Sequence, residues 1–276
     1  MKTITIAGII LVAIMVLGFF YPLIVMQTYI SQREVKFRSL VKTIYNNILE
    51  NILVKSNKTT MLSLNDTALI LKLRSSIIKA SSYNGKLVKI VLTPLKNIPS
   101  EYMLFNENGR KIVMIIGYFV EVYLPEKMKY LEFDGRLSYI SITLEKTAYG
   151  YLKASFLGSI VEFALNNSLI NTVLMRLDES LMESYIDLQS LNFTGELSLE
   201  LESYTSIIYS YINIGNDTRI RVVRENIGGV EEVNIDESRL YEYYYIDPGY
   251  YESGKRLHIA VKGFGSGIRI DLNRVG

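Results

Sequence analysis

Gly195–Ser203 reads GELSLELES. Leu197, Leu199 and Leu201 fall on one side of an extended chain, and Glu196, Ser198, Glu200 and Glu202 fall on the other. A period of two, apolar against charged, is the pattern of a strand with one face in a core and one in water. The same pattern continues toward the C-terminus through SIIYSYINIGNDTRIRVVREN, VEEVNI, RLYEYYYI, KRLHIAVKG and SGIRIDL, with turns at Gly215-Asn216-Asp217 and Asp247–Gly249. Short strands punctuated by turn residues at this spacing predict a β-sandwich over 191–276.

Toward the N-terminus the period changes. Leu157, Ile160, Val161 and Ala164 make one stripe at helical spacing. Ile170, Val173, Leu174, Leu177, Leu181, Tyr185 and Leu188 make another. Asn166-Asn167-Ser168 between them favours a cap or kink. The expectation is therefore a helix within Tyr151–Ser190 covering one sheet face. Before it, strands are expected at Thr67–Arg74, Ser76–Ala80 and Lys86–Thr93, the last two joined as a hairpin at Asn84-Gly85. A second hairpin is expected at Asn106–Gly109. KIVMIIGYFVEVYL (Lys111–Leu124) reads as one buried central strand, with Gly117 at a bulge or close contact. Gly135–Lys146 reads as a half-buried strand. No internal repeat or flexible linker is evident.

The chain opens differently. Ile4–Met26, including Leu11 and Leu17, carries no charged residue and is long enough to cross a ~30 Å hydrocarbon core. It exceeds a cleavable signal's apolar region and lacks a small-residue cleavage site, so a retained membrane anchor is expected. Phe37, Leu40, Val41, Ile44, Tyr45, Ile48, Leu49 and Ile52 follow at i, i+3, i+4, i+7, predicting an amphipathic stalk helix. Arg33, Lys36, Arg38 and Lys42 beyond the span would place the body in the cytoplasm by the positive-inside rule. Five glycosylation sequons, at Asn57, Asn65, Asn166, Asn192 and Asn216, argue for the outside, and an extracytoplasmic body is the expectation adopted.

Composition narrows the chemistry. The 276 residues contain no Cys, which removes disulfides, thiolate metal sites and cysteine nucleophiles. A formal net charge of +2 gives no electrostatic footprint for nucleic acid. The one His, His258, sits in an alternating strand, where a packed or surface role is commoner than catalysis. Gly263–Gly267 (GFGSG) lacks both the nucleophile-elbow order and the following helix of a phosphate cradle. The acidic pairs Glu231-Glu232 and Asp236-Glu237 lack the oxygen spacing of a Ca²⁺ loop. No catalytic, metal or cofactor residues are assigned. The unusual feature is a tyrosine cluster, Tyr241, Tyr243, Tyr244, Tyr245, Tyr250 and Tyr251. It suits cross-strand packing or an exposed patch for glycan or subunit contact.

Tyr211–Val223 (YINIGNDTRIRVV) and Tyr243–Val261 (YYYIDPGYYESGKRLHIAV) resemble strand–turn–strand segments of archaeal archaellins and type IV pilins. The order of apolar N-terminus first and β-domain last resembles them too. The resemblance implies an Ig-like sandwich outside the cell on a long N-terminal helix, and self-assembly or envelope partners. Ala7-Gly8 follows Ile6 here, where that family carries a basic residue before its processing site.

The fold class expected is α+β, mainly β. It has a transmembrane and stalk helix over 1–55, a mixed β/α region with a covering helix over 56–190, and an Ig-like β-sandwich over 191–276. The expected function is a single-span, extracytoplasmic, non-enzymatic surface glycoprotein with membrane lipid and protein partners and no cofactor. The alternative is a membrane-anchored enzyme or ligand-binding receptor with its site in 56–190, which would need a concave pocket lined by converging polar groups.

Overall fold

The computed structural model describes residues 59–96, 98–236 and 238–275. Ile4, Leu11, Leu17 and Met26 of the expected anchor, the expected stalk helix and Asn57 lie outside the described residues. Every regular element among the described residues is a strand. No helix there is long and apolar enough to cross a membrane. In chain order the strands are β1 (Thr60–Leu64), β2 (Ala68–Arg74), β3 (Ile77–Tyr83), β4 (Val88–Pro94), β5 (Glu101–Glu107), β6 (Arg110–Ile116), β7 (Tyr118–Pro125), β8 (Lys127–Arg136), β9 (Tyr139–Glu145), β10 (Ala148–Leu157) and β11 (Ile160–Asn166). They continue as β12 (Leu169–Asp178), β13 (Leu181–Asp187), β14 (Gly195–Tyr204), β15 (Ile207–Gly215), β16 (Arg219–Ile227), β17 (Val230–Ile235), β18 (Ser238–Leu240), β19 (Tyr244–Ile246), β20 (Lys255–Phe264) and β21 (Gly267–Val275).

The alternation read at Gly195–Ser203 holds: Leu197, Leu199 and Leu201 are buried in β14. Its neighbours, however, are parallel. β14 pairs in parallel with β12 and β20, and β15 with β13 and β21. The chain runs along one sheet, turns a corner, runs along the facing sheet, and returns to the first beside its previous strand. Stacking such coils gives an 11-stranded sheet, β1-β4-β7-β3-β9-β11-β13-β15-β21-β17-β18, facing a 10-stranded sheet, β19-β16-β20-β14-β12-β10-β8-β2-β6-β5. This two-sheet solenoid corrects the Ig-like expectation, because an Ig sandwich is built from antiparallel strands. One hydrophobic core runs its whole length, from Leu64 to Leu272. Strands on either side of residue 190 pair directly, so 56–190 and 191–276 share both sheets.

The helix expected within Tyr151–Ser190 is instead β10 to β13. Two features mimic a helical period there. Ile170 and Val173 are a buried pair three residues apart where β12 slips phase, and the same slip recurs at the same level in the neighbouring strands at Tyr149 and Leu152 and at Met128 and Leu131. The corners then move the chain to the other sheet and reset the phase. Of the proposed stripes, Leu157 and Tyr185 are in fact exposed.

The corners also carry the repeat missed in the sequence. Ser75, Leu137, Gly158, Glu179, Thr205 and Gly265 all have left-handed backbone, φ between 46° and 60°, and each precedes a buried serine. These are Ser76, Ser138, Ser159, Ser180, Ser206 and Ser266. Each hydroxyl donates to the carbonyl two residues back, as Ser180 does to Asp178 at 2.8 Å. Each also accepts the amide of the coil before it: Tyr118 N–H to Ser76 at 3.3 Å, Ser76 to Ser138 at 3.4 Å, Ser138 to Ser159 at 3.3 Å, Ser159 to Ser180 at 3.1 Å, Ser180 to Ser206 at 3.0 Å and Ser206 to Ser266 at 3.3 Å. A corner amide turned away from its own sheet must find a partner, and the ladder supplies one. It stops at Gly229, where a Cβ would stand 2.2 Å from the Ser266 carbonyl oxygen.

The end coils are filled out of order. β4 lies beside β7, not β3, so Asn84-Gly85 closes no hairpin; β7 later occupies the slot between β3 and β4. At the other end β20 and β21 occupy the slots between β14 and β16 and between β15 and β17. The Asn106–Gly109 hairpin does form: Glu107 pairs with Arg110 across Asn108 and Gly109, both at positive φ. Lys111–Leu124 is two strands, β6 and β7, in different sheets. Gly117 between them has φ 71°, and a Cβ there would meet the Pro99 carbonyl oxygen at 2.3 Å.

Candidate contact surface at the C-terminal end of the stack

The tyrosine cluster lies where the last coils close. The segment after β17 turns back as the three-residue β18 and then β19, which pairs antiparallel with β16. Tyr241, Tyr243, Tyr244 and Tyr251 are 78%, 70%, 50% and 63% exposed. Tyr245 and Tyr250, counted with them from sequence, face the other way. Tyr245 donates its hydroxyl to Asp247 at 2.8 Å, and Tyr250 is buried. The expected patch therefore divides into an exposed aromatic set and two tyrosines that hold the turn beneath it.

Below the exposed rings is a polar cluster on the outer face of three neighbouring strands. Glu196 of β14 accepts the Tyr250 hydroxyl at 3.0 Å and lies 3.8 Å from Arg221 of β16 and 3.9 Å from Arg256 of β20. Arg221 also lies over the Tyr250 ring, 5.6 Å from its centroid, and donates to His258 Nδ1 at 3.1 Å. The parallel register sets this arrangement: Glu196 is level with Arg256, and His258 with Arg221. Burial, then the Arg221 charge, lowers the His258 pKa, so the ring is a neutral acceptor. Burial first, then the bond to Glu196, raises the Tyr250 phenol to about 12. His258 thus packs into a salt-bridged cluster.

A second network anchors the turn. Asp247 is buried and takes both oxygens to Arg274, at 2.8 and 2.7 Å, while also accepting the Ile220 amide at 2.8 Å. Arg274 also bonds Asp236. Arg224 pairs with Glu231 at 2.8 Å with both side chains nearly buried, and reaches the Leu240 carbonyl at 2.7 Å. These bonds fix 238–254 over the end of the core, and the exposed tyrosines ride on that cover.

The other sequence candidates are dispersed. Asn65, Asn192 and Asn216 are exposed in turns or connections, whereas Asn166 is half-buried at the end of β11 in the middle of the stack. One void between the sheets, walled mostly by Leu165, Ile170, Ile186, Leu197 and Ile212, is about 20 Å³. That is room for one water. Among the described residues no group of three His, Asp or Glu could hold a metal ion. The Asp247–Arg274–Asp236 lock was not found from sequence. Its partners are 27 and 38 residues apart, and nothing local marks them.

No family model and no curated protein matches the chain. Among solved structures, a "putative cell adhesion protein" from Clostridium sporogenes aligns at TM-score 0.39 and 13% identity, over 78% of this chain and 99% of the other. A "putative adhesin" from Bacteroides fragilis aligns at TM-score 0.28 and 9% identity, over 78% of this chain and 98% of the other. Neither is described as a pilin or an archaellin.

Proposed function

We propose that this is a membrane-tethered, non-enzymatic contact protein of the cell surface, in which the solenoid is a rigid spacer and the exposed tyrosines at its far end make the contact. The observation that carries the reading is the opposition of the two ends. β1, where the described chain begins, is the outermost strand at one end of the 11-stranded sheet, and β18, which leads into the tyrosines, is outermost at the other. Ten inter-strand spacings separate them, on the order of 45–50 Å. Charge-free Ile4–Met26 lies upstream of β1, so a body anchored there presents Tyr241, Tyr243, Tyr244 and Tyr251 away from the lipid. Exposed Tyr beside Arg suits stacking on sugar rings and hydrogen bonding to hydroxyls, with little entropy lost per side chain.

The test uses the full chain displayed in lipid vesicles. Retention on envelope polysaccharide from the same cells should fall about tenfold or more when all four exposed tyrosines are changed to Ser, a loss of ~1.4 kcal/mol or more. Tyr185→Ser, on the other sheet at mid-stack, should leave retention unchanged. Equal loss from both, or loss from neither, rejects the reading. An impermeant protease added to intact cells should cleave the body; complete protection would place it inside.

A further inference from the structure

The two ends of the core are finished differently. At the C-terminal end, 238–254 folds over it. At the N-terminal end the last strand of the 10-stranded sheet is β5, and all seven of its residues are exposed. Register shows which way they point. Tyr102 pairs with Ile115 and Leu104 with Val113, and both partners are fully buried. Paired residues share a face, so Tyr102 and Leu104 stand on the core side of the sheet while 38% and 43% exposed. At the same end of the 11-stranded sheet, Leu62 of β1 is only partly buried against the core. The Tyr102 ring meets Tyr118 of β7 edge-on at 6.3 Å, across the inter-sheet space. The N-terminal mouth of that space, flanked by the end strands β1 and β5, thus carries core-facing apolar side chains that are exposed. On the outer face of β5, Met103 and Phe105 are 44% and 39% exposed.

We infer that this opening is covered by the chain's own segment Phe37–Ile52. Three observations name that occupant. The described chain starts at residue 59 and enters β1, the end strand of the 11-stranded sheet at this mouth. From Ile52 to Thr60 the chain can reach about 25 Å at most, against the ~10 Å between facing sheets, so the segment is tethered within range of β5. Its composition also fits. Phe37, Leu40, Val41, Ile44, Ile48 and Ile52 supply an apolar set. Lys36, Arg38 and Lys42 supply positive charge toward Glu101 and Glu107, both exposed at the ends of β5. Covering the mouth removes apolar surface from water and shields a seven-residue edge strand that would otherwise pair with other chains. A solenoid needs such a terminal cover for solubility, as its repeats cannot supply one.

The absence of native cysteine makes the test clean. In the full chain in detergent, Leu104→Cys combined with Ile44→Cys or Ile48→Cys should form an intramolecular disulfide under mild oxidation. Leu104→Cys alone should react with a water-soluble maleimide roughly tenfold slower than Ile227→Cys, a 58% exposed position at the opposite end. Adding Val41→Asp and Ile48→Asp should raise the Leu104→Cys rate to that of the control, with the β-sheet circular dichroism retained. A disulfide-linked dimer of the single variant would mean that a second copy covers β5. A rate equal to that of Ile227→Cys would mean that the mouth stays open. Either outcome overturns the inference.

Discussion

The middle of the stack and its C-terminal end hold together by different means. From β8 to β15 the chain winds in strict order, and each coil touches only the coils before and after it. The serine corner repeats there at 21 residues, from Ser138 to Ser159 to Ser180. The bonds are short-range, neutral and interchangeable, so stability accumulates by neighbours. At the C-terminal end the ladder stops at Gly229, and buried ion pairs take over: Arg274 with Asp247, and Arg224 with Glu231. Repetition suffices in the middle, where each surface is met by a copy of itself. An end has no such copy, and it is closed by long-range charged contacts that occur once.

That contrast can be broken from either side. The largest effect is expected from Arg274→Met, which leaves Asp247 buried without the guanidinium nitrogen that donates to both its oxygens and should cost about 3–5 kcal/mol. Hydrogen exchange should show the loss concentrated in 219–254, with β8–β13 still protected. Gly229→Ala places a Cβ against the Ser266 backbone and should cost about 1–3 kcal/mol by denaturant titration, loosening β17 first. Ser180→Ala strips the buried Ser159 amide of its acceptor and should cost about 1–3 kcal/mol. If its effect were confined to one end, the neighbour-by-neighbour account of the middle would be wrong.

The smallest effect is one of pH. His258 has a lowered folded pKa, so the unfolded chain binds the proton first, and stability is lost as pH falls below the unfolded value of about 6.5. Thermal midpoints between pH 7.5 and pH 5 should drop for the wild type and drop less for His258→Asn. Equal slopes would show that the Arg221 contact does not matter to stability.

Strand-level reading succeeded where the chain alternates without interruption. Leu197, Leu199 and Leu201 are inward, and the Asn108-Gly109 turn closes its hairpin. It failed at 151–190 because corners and aligned phase slips spaced the buried residues three and four apart. The repeat was present as a left-handed residue followed by Ser. It was regular only from Ser138 to Ser180: the longer connection between β13 and β14 stretched the next interval to 26 residues, and out-of-order filling stretched the one after it to 60. Of the contact surface, the tyrosines were visible as a cluster. Which of them face water was not, because Tyr245 and Tyr250 are turned inward by Asp247 and Glu196, partners that only the fold brings near.

The slots filled last carry a consequence for how the protein is made. On a ribosome β16 and β17 emerge before the strands that will sit between them and β14–β15. Until Lys255–Val275 is complete, they have only β19 and β18 beside them. The closing strands are a keystone set in place only after every strand that flanks them has been made. A chain released before Lys255 would keep a sound middle and display unpaired parallel edges, the kind of species that quality-control proteases and chaperones recognise.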